Sequence, residues 1–428
     1  MNMRCHPPDL CSQPVRWSRF RRTLAVVLFC VLGATHAAST DWVEKEATRD
    51  SMQVIFDNLR LLLEIDMSES DLDSPENQED VLEALRELDD QAAILASHGF
   101  YEDSTGVFLA SVLERYSFLL LRTYERGDSK QVQRLLYGMT DICIACHTRL
   151  PSPHDSPAAK QFVDSETVWA LPDKKRARIQ VATRRFDDAL TTLELMIESS
   201  QVADAATLEE LLRTYLIVNI RVKGDMERPV ETLESVEARS AARSPWRRDV
   251  EIWQESLGHF RNTPFIVDPL SSAREIIAAA GGADFPSQRS ALVDYIAASS
   301  LLHRYLASNP ADPMGVSEAH YLLGLAEYRI YRDDWLPQAE LFLEVAIVLA
   351  PDAPWAKPAY TLLVEKIHRT YLQSPGGQLP PEVDERLREL KEAIDGDKPS
   401  NASPHIMPSE RFSVAMATGG VARGVGSR

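Results

Sequence analysis

The chain has 428 residues, a formal net charge of −18 and 44% hydrophobic content. That length suits two or three domains with ordinary cores, and the acidic balance disfavours nucleic acid or an anionic membrane as a partner. Few aromatics and glycines, with many Ala, Leu, Glu and Arg, favour helix over sheet, so an all-α chain is expected.

Residues 1–37 read as an export signal. Arg19, Arg21 and Arg22 form a positive n-region, and Thr23 to Thr35 an apolar h-region. Small residues follow, and cleavage is expected after Ala37. The apolar run is shorter than the roughly 20 residues of a membrane span, so no span is expected in the mature chain; an uncleaved anchor is the alternative. The expected location is periplasmic. Residues 1–15 exceed what an n-region needs, which allows a start downstream of Met1. Arg4, Arg16, Arg19, Arg21 and Arg22 against Asp9 give the leader a net charge of +4, leaving −22 for the rest.

Four helices are expected in 38–150. Apolar stripes mark them at about 41–66 (Met52, Ile55, Phe56, Leu59, Leu62, Leu63), 80–97 and 105–126, and from Ser129 onward (Val132, Leu135, Leu136, Met139, Ile142). His98-Gly99 and Gly127-Asp128 are stop signals, and Pro151 closes the fourth helix. Short loops between amphipathic helices imply an antiparallel four-helix bundle.

The fourth helix carries Cys143-Ile144-Ala145-Cys146-His147. C-x-x-C-H is the attachment sequence of a covalent c-type haem. Thiols three residues apart share one side of a helix, where each can add across a haem vinyl group, and His147 is placed to meet the iron. The competing readings are a redox dithiol, a plain disulfide and half a zinc site. A second zinc-binding pair is absent from the sequence, and a thioredoxin-type dithiol sits in a βαβ unit that the pattern lacks. Cys5, Cys11 and Cys30 fall in the leader, so the mature chain keeps only the motif pair.

A haem motif near the end of the last helix of four resembles the cytochrome c-prime superfamily. Asp50-Ser51-Met52-Gln53-Val54-Ile55-Phe56-Asp57-Asn58-Leu59 is similar to the first helix of its low-spin members, in which an early methionine is the sixth iron ligand. The resemblance covers about 110 residues. It implies one covalent haem c held by thioethers at Cys143 and Cys146, with His147 and Met52 as axial ligands. Met67, Met139, His98 and His154 are rivals by residue type. Met67 lies roughly 22 Å further along the helix than Met52, and Met139 is on the same helix as His147. High-spin, gas-binding members tend to carry a basic residue four places after the motif His. Here that position is Pro151, with Arg149 two places after.

Pro151, Pro153, Ser156 and Pro157 suggest a linker over 151–163. Helical signal then runs through 164–396, with expected hairpins at 165–183 with 186–200 and at 204–223 with 228–242. A less regular part is expected over 245–283, then helices at about 287–308, 315–332, 335–350, 356–373 and 381–395. Tyr321-Leu322-Leu323-Gly324-Leu325-Ala326-Glu327-Tyr328 resembles the first helix of a tetratricopeptide repeat, with Ala339, Leu343, Ala346 and Pro351 at the spacing of its second. Such repeats, here degenerate, form an α-helical hairpin solenoid that binds protein. Trp246, Trp253, Trp335 and Trp355 are expected to pack. Residues 397–428 read as a disordered tail.

Together these features point to an exported monohaem electron carrier rather than an enzyme. No catalytic residues, phosphate loop or second haem motif are found. Residues 38–150 hold 23 acidic against 10 basic side chains, a field that would steer a basic redox partner. A second protein partner is expected on the repeats. The alternatives are a gas-binding or redox-sensing haem protein with a repeat scaffold, or a haem subunit of an enzyme complex.

Overall fold

Apolar residues at helical spacing become buried faces in the computed structural model. It describes residues 47–66, 72, 74–97, 104–152, 154–199, 205–239, 245–262, 268–281, 289–331, 338–372, 378–379 and 381–396. The leader, Met67, His98 and the tail lie outside the described residues. The chain is all-α, with no strand among the described residues. No helix among them is long and apolar enough to cross a membrane.

Helix α1 (47–66) buries Ile55, Leu59, Leu62 and Leu63 along one stripe. α2 (Gln78–Ser97) packs on α3 (Ser104–Glu125), and α3 on α4 (Ser129–His147). Asn58 Nδ2 donates to Glu87 Oε2 at 3.0 Å, joining α1 to α2. Between α3 and α4 the chain reverses at Gly127, whose φ of +76° suits a residue without Cβ. Its N–H bonds Tyr124 O, that of Asp128 bonds Thr123 O, and the Asp128 carboxylate caps α4 by accepting from Gln131 N at 3.1 Å.

Tyr124 donates its hydroxyl to Leu72 O, tying the turn after α1 to the end of α3, next to the start of α4. The Tyr137 hydroxyl on α4 bonds Asp66 at the end of α1. From Ser51 onward α1 is therefore antiparallel to α4, and Ser51 and Met52 lie toward the Cys143–His147 end of α4.

The stretch 151–163 is folded onto its neighbours. Ser152 N donates to Val222 O and Ser156 N to Arg184 O, both at 3.0 Å. Helix α5 (Lys160–Val163) buries Phe162 edge-on against Phe56, their centroids 6.0 Å apart. α6 (Glu166–Trp169) and α7 (Asp173–Ala182) replace the single expected helix at 165–183. The break falls at Pro172, which has no N–H to continue α6 and instead precedes the first turn of α7.

α8 (Phe186–Glu198) pairs with α7. α9 (Ala205–Ile217) runs into a π-helical turn, Val218–Lys223, that Gly224 closes at φ +67°. α10 (Arg228–Arg239) follows. Within 245–283, contrary to expectation, the described residues include two full helices, α11 (Pro245–Asn262) and α12 (Pro269–Ala280). The charged residues of α11 mask a stripe of Val250, Trp253, Leu257 and Phe260, all buried. Then come α13 (Leu292–Ala307), α14 (Pro313–Ile330), α15 (Gln338–Leu349), α16 (Ala356–Leu372) and α17 (Pro381–Asp395), each packed on the one before from α13 onward.

Gly324 of α14 faces Leu343 of α15; a Cβ there would come within 2.7 Å of Leu343 Cγ. Trp253 is fully buried and Trp355 half-buried, and both bond through Nε1, to Arg289 O and Ser317 Oγ. One apolar cluster runs from Ile55 to Val345, so the core crosses 151–163 without a break; a second spans Tyr328 to Leu390.

Candidate functional site at the end of α4

The motif occupies the last turn and a half of a 19-residue helix. Cys143 and Cys146 are half-buried, form no disulfide and pack against the main cluster. Reactive dithiols gain their thiolate from a helix N-terminus. These sit at the opposite end, where the dipole disfavours negative charge. Burial, with Cys146 alongside, pushes the Cys143 thiol up to about 12. The Cys143 thiol is therefore protonated and unactivated at neutral pH.

His147 Nδ1 lies 2.7 Å from the carbonyl oxygen of Ala182, the last residue of α7. A carbonyl only accepts, so Nδ1 carries the proton and the lone pair is on Nε2. Burial pushes the imidazole down to about 4; the Ala182 bond works against this and the Arg184 guanidinium adds to it. His147 is thus neutral near pH 7 with one nitrogen committed and one available. Metal-bound histidines show this arrangement, the second nitrogen donating to a carbonyl or carboxylate.

Thr148 caps the helix, its N–H and Oγ1 both bonding Ile144 O. Arg149 is buried, and Ser152 Oγ accepts from Arg184 at 2.7 Å. α7 is held on α4 by Arg178, which donates to Thr140 Oγ1 at 2.6 Å and to Tyr137 O, and pairs with Asp141.

Met52 is half-buried near the start of α1, against the same apolar cluster as Cys143 and Cys146. Counting back along antiparallel helices from the Asp66–Tyr137 contact puts His147 level with Phe56. Met52 is one turn further, about 6 Å. Met139 is fully buried in the core and is used there, and His154 is exposed.

Spacing puts the two thiols on the side of α4 opposite an open groove of about 850 Å³ between α4 and α7, lined by Arg134, Tyr137, Asp141, Lys175 and Arg178. The groove is not the motif's own face. Among the described residues, no group of three or more His, Cys, Asp or Glu gathers as a metal-ion site.

Sequence reasoning missed the groups behind the motif. Ala182 acts through its backbone, which no residue type signals. A buried group of four lies further in: Arg221, from the π-helical turn, donates to Glu327 Oε1 at 2.8 Å and to Ser299 Oγ at 2.6 Å, with His303 Nε2 3.5 Å from the same carboxylate oxygen. Burial drives the Glu327 carboxyl up, but Arg221 and His303 outweigh it and hold it below its ordinary range. Burial pushes His303 down to about 4. The charge of Arg149, two residues past α4, adds slightly to the lowering of His303. No family model, curated protein or solved structure matches the chain.

Proposed function

We propose that the chain is an exported, periplasmic c-type cytochrome that carries electrons on one covalent haem c. The observation that carries the reading is His147, directly after Cys143 and Cys146 on one helix end, with Nδ1 bonded to a carbonyl and Nε2 left with its lone pair. That is the donor set of C-x-x-C-H haem attachment. Cys143 and Cys146 hold the group through thioethers, and His147 is the proximal axial ligand. Met52 is the distal one, supported by its place within about a turn of the level of His147. When bound, the group supplies a one-electron couple, and a His/Met pair raises its potential. The chain's own residues orient the imidazole, keep it neutral and surround the thiols with apolar side chains.

In this reading α1–α4 form the four-helix haem bundle of a cytochrome c-prime relative, and the helices beyond α5 form a tetratricopeptide-like solenoid that docks a protein partner. The close approach of α15 to Gly324 supports the second part. The excess of acidic residues in 38–150 suits a basic redox partner.

The test is expression of the full chain with c-type maturation machinery. Haem that stays with the polypeptide through denaturation, and is lost in Cys143→Ala with Cys146→Ala, is the expected result. A chain recovered without haem overturns the reading.

A further inference from the structure

We propose that the helical region beyond the haem bundle is itself part of the haem site, with the end of α7, Ala182 to Arg184, positioning His147. The inference rests on the cytochrome reading.

A helix end leaves its last four carbonyls without donors from the helix. At the end of α7 three of them are taken locally: Ile179 O by Thr183 N, Gln180 O by Arg185 N, and Val181 O by Arg184 N. The fourth, Ala182 O, takes His147 Nδ1–H, from a residue 35 positions earlier on another helix. The turn that frees this carbonyl depends on Arg184, which adopts a left-handed φ of +60°. Arg184 is pinned in turn by its bond to Ser152 Oγ, and Ser156 N bonds its carbonyl. Arg178 fixes the other end of the contact on Thr140 and Tyr137. α7 is therefore tied to α4 on one side of the His147 bond and to the segment that follows α4 on the other.

An acceptor on Nδ1–H fixes ring orientation and makes Nε2 a stronger donor to the iron, which favours the ferric state. The Arg184 cation, two residues past the carbonyl that holds the ring, opposes this and favours the ferrous state. The potential is then set in part by residues outside the bundle. Ala182 and Arg184 are positioning residues and touch no reacting atom.

The experiment uses full-length holoprotein with ¹⁵N-labelled histidine, reduced so that the six-coordinate iron is low-spin and diamagnetic. The expected result is a His147 Nδ1–H resonance that survives exchange with water and shows cross-peaks to Ala182 or Thr183. A ring proton that exchanges too fast to observe, or that contacts only α4, in a chain that still carries haem, overturns the inference and leaves the cytochrome reading intact. A chain without haem fails the earlier reading instead. Arg184→Gly keeps the left-handed turn and removes the cation. It is expected to lower the midpoint potential, with Arg184→Lys restoring it. An unchanged potential in Arg184→Gly overturns the role given to the Arg184 charge.

Discussion

Gly138 of α4 exists to make room for Tyr116 of α3. A Cβ at 138 would overlap the Tyr116 hydroxyl and come within 3.0 Å of Cζ, and the tyrosine is buried with only 1% of its surface exposed. This contact fixes the spacing of α3 and α4 five residues before the first motif cysteine. Gly138→Ala would gain about 1 kcal/mol of helix propensity. Forcing the ring aside costs about 1–3 kcal/mol. The expected outcome is net destabilisation in urea unfolding, partly recovered when Tyr116→Phe removes the overlapping oxygen. Additive effects of the two substitutions would contradict the contact.

On the proposed reading Met52 is an iron ligand, whereas Met139 is a core residue. Met52→Ala in holoprotein should convert a six-coordinate low-spin spectrum to a high-spin one that shifts with carbon monoxide. Met139, fully buried in the cluster, should tolerate Met139→Leu with a loss below about 1.5 kcal/mol and no spectral change. A high-spin spectrum in the unsubstituted protein would remove the assignment of Met52.

Arg221 and Glu327 form an ion pair buried to 3% and 1% side-chain exposure. Breaking such a pair strands a charge, at a cost of about 3–5 kcal/mol. Glu327→Leu should therefore destabilise strongly in denaturant. The double substitution Arg221→Met with Glu327→Leu should recover most of the loss, since two apolar side chains leave no charge unpaired. A single substitution with no effect on the unfolding midpoint would show that the pair is not formed.

Acid stability should carry two opposing contributions. Burial lowers His303 to about 4, so the unfolded chain takes up its proton first. That contribution is full above about 6.5 and disappears as pH falls through 4. The depressed Glu327 carboxyl acts in the same direction. Asp294 acts oppositely: burial raises it to about 6, so its contribution is full below its ordinary range and is lost as pH rises through 6. Asp294→Asn, which keeps a partner for Ser256 Oγ, should leave a steeper loss of stability between pH 6 and 4 than the unsubstituted chain shows. Urea unfolding at several pH values measures the slopes. Parallel profiles would contradict the burial of Asp294.

The residue order alone determined that the chain is helical and where most helices lie, because apolar spacing of three and four is a local property. That Cys143, Cys146 and His147 share one helix end was equally legible, since their spacing is local; haem attachment there is the proposal the spacing supports. A short motif put Gly324 on one helix and Leu343 on the next, and the structure showed that the two meet. The regularity of α11 and α12 was not legible, because charged residues outnumber the few apolar positions that decide burial. Only the tertiary structure joined His147 to Ala182 and Arg221 to Glu327. The first uses a backbone carbonyl that any residue would present, and the second spans 106 positions. Such pairings follow from how helices stack, and helix stacking sums many weak apolar contacts that no single stretch of sequence contains.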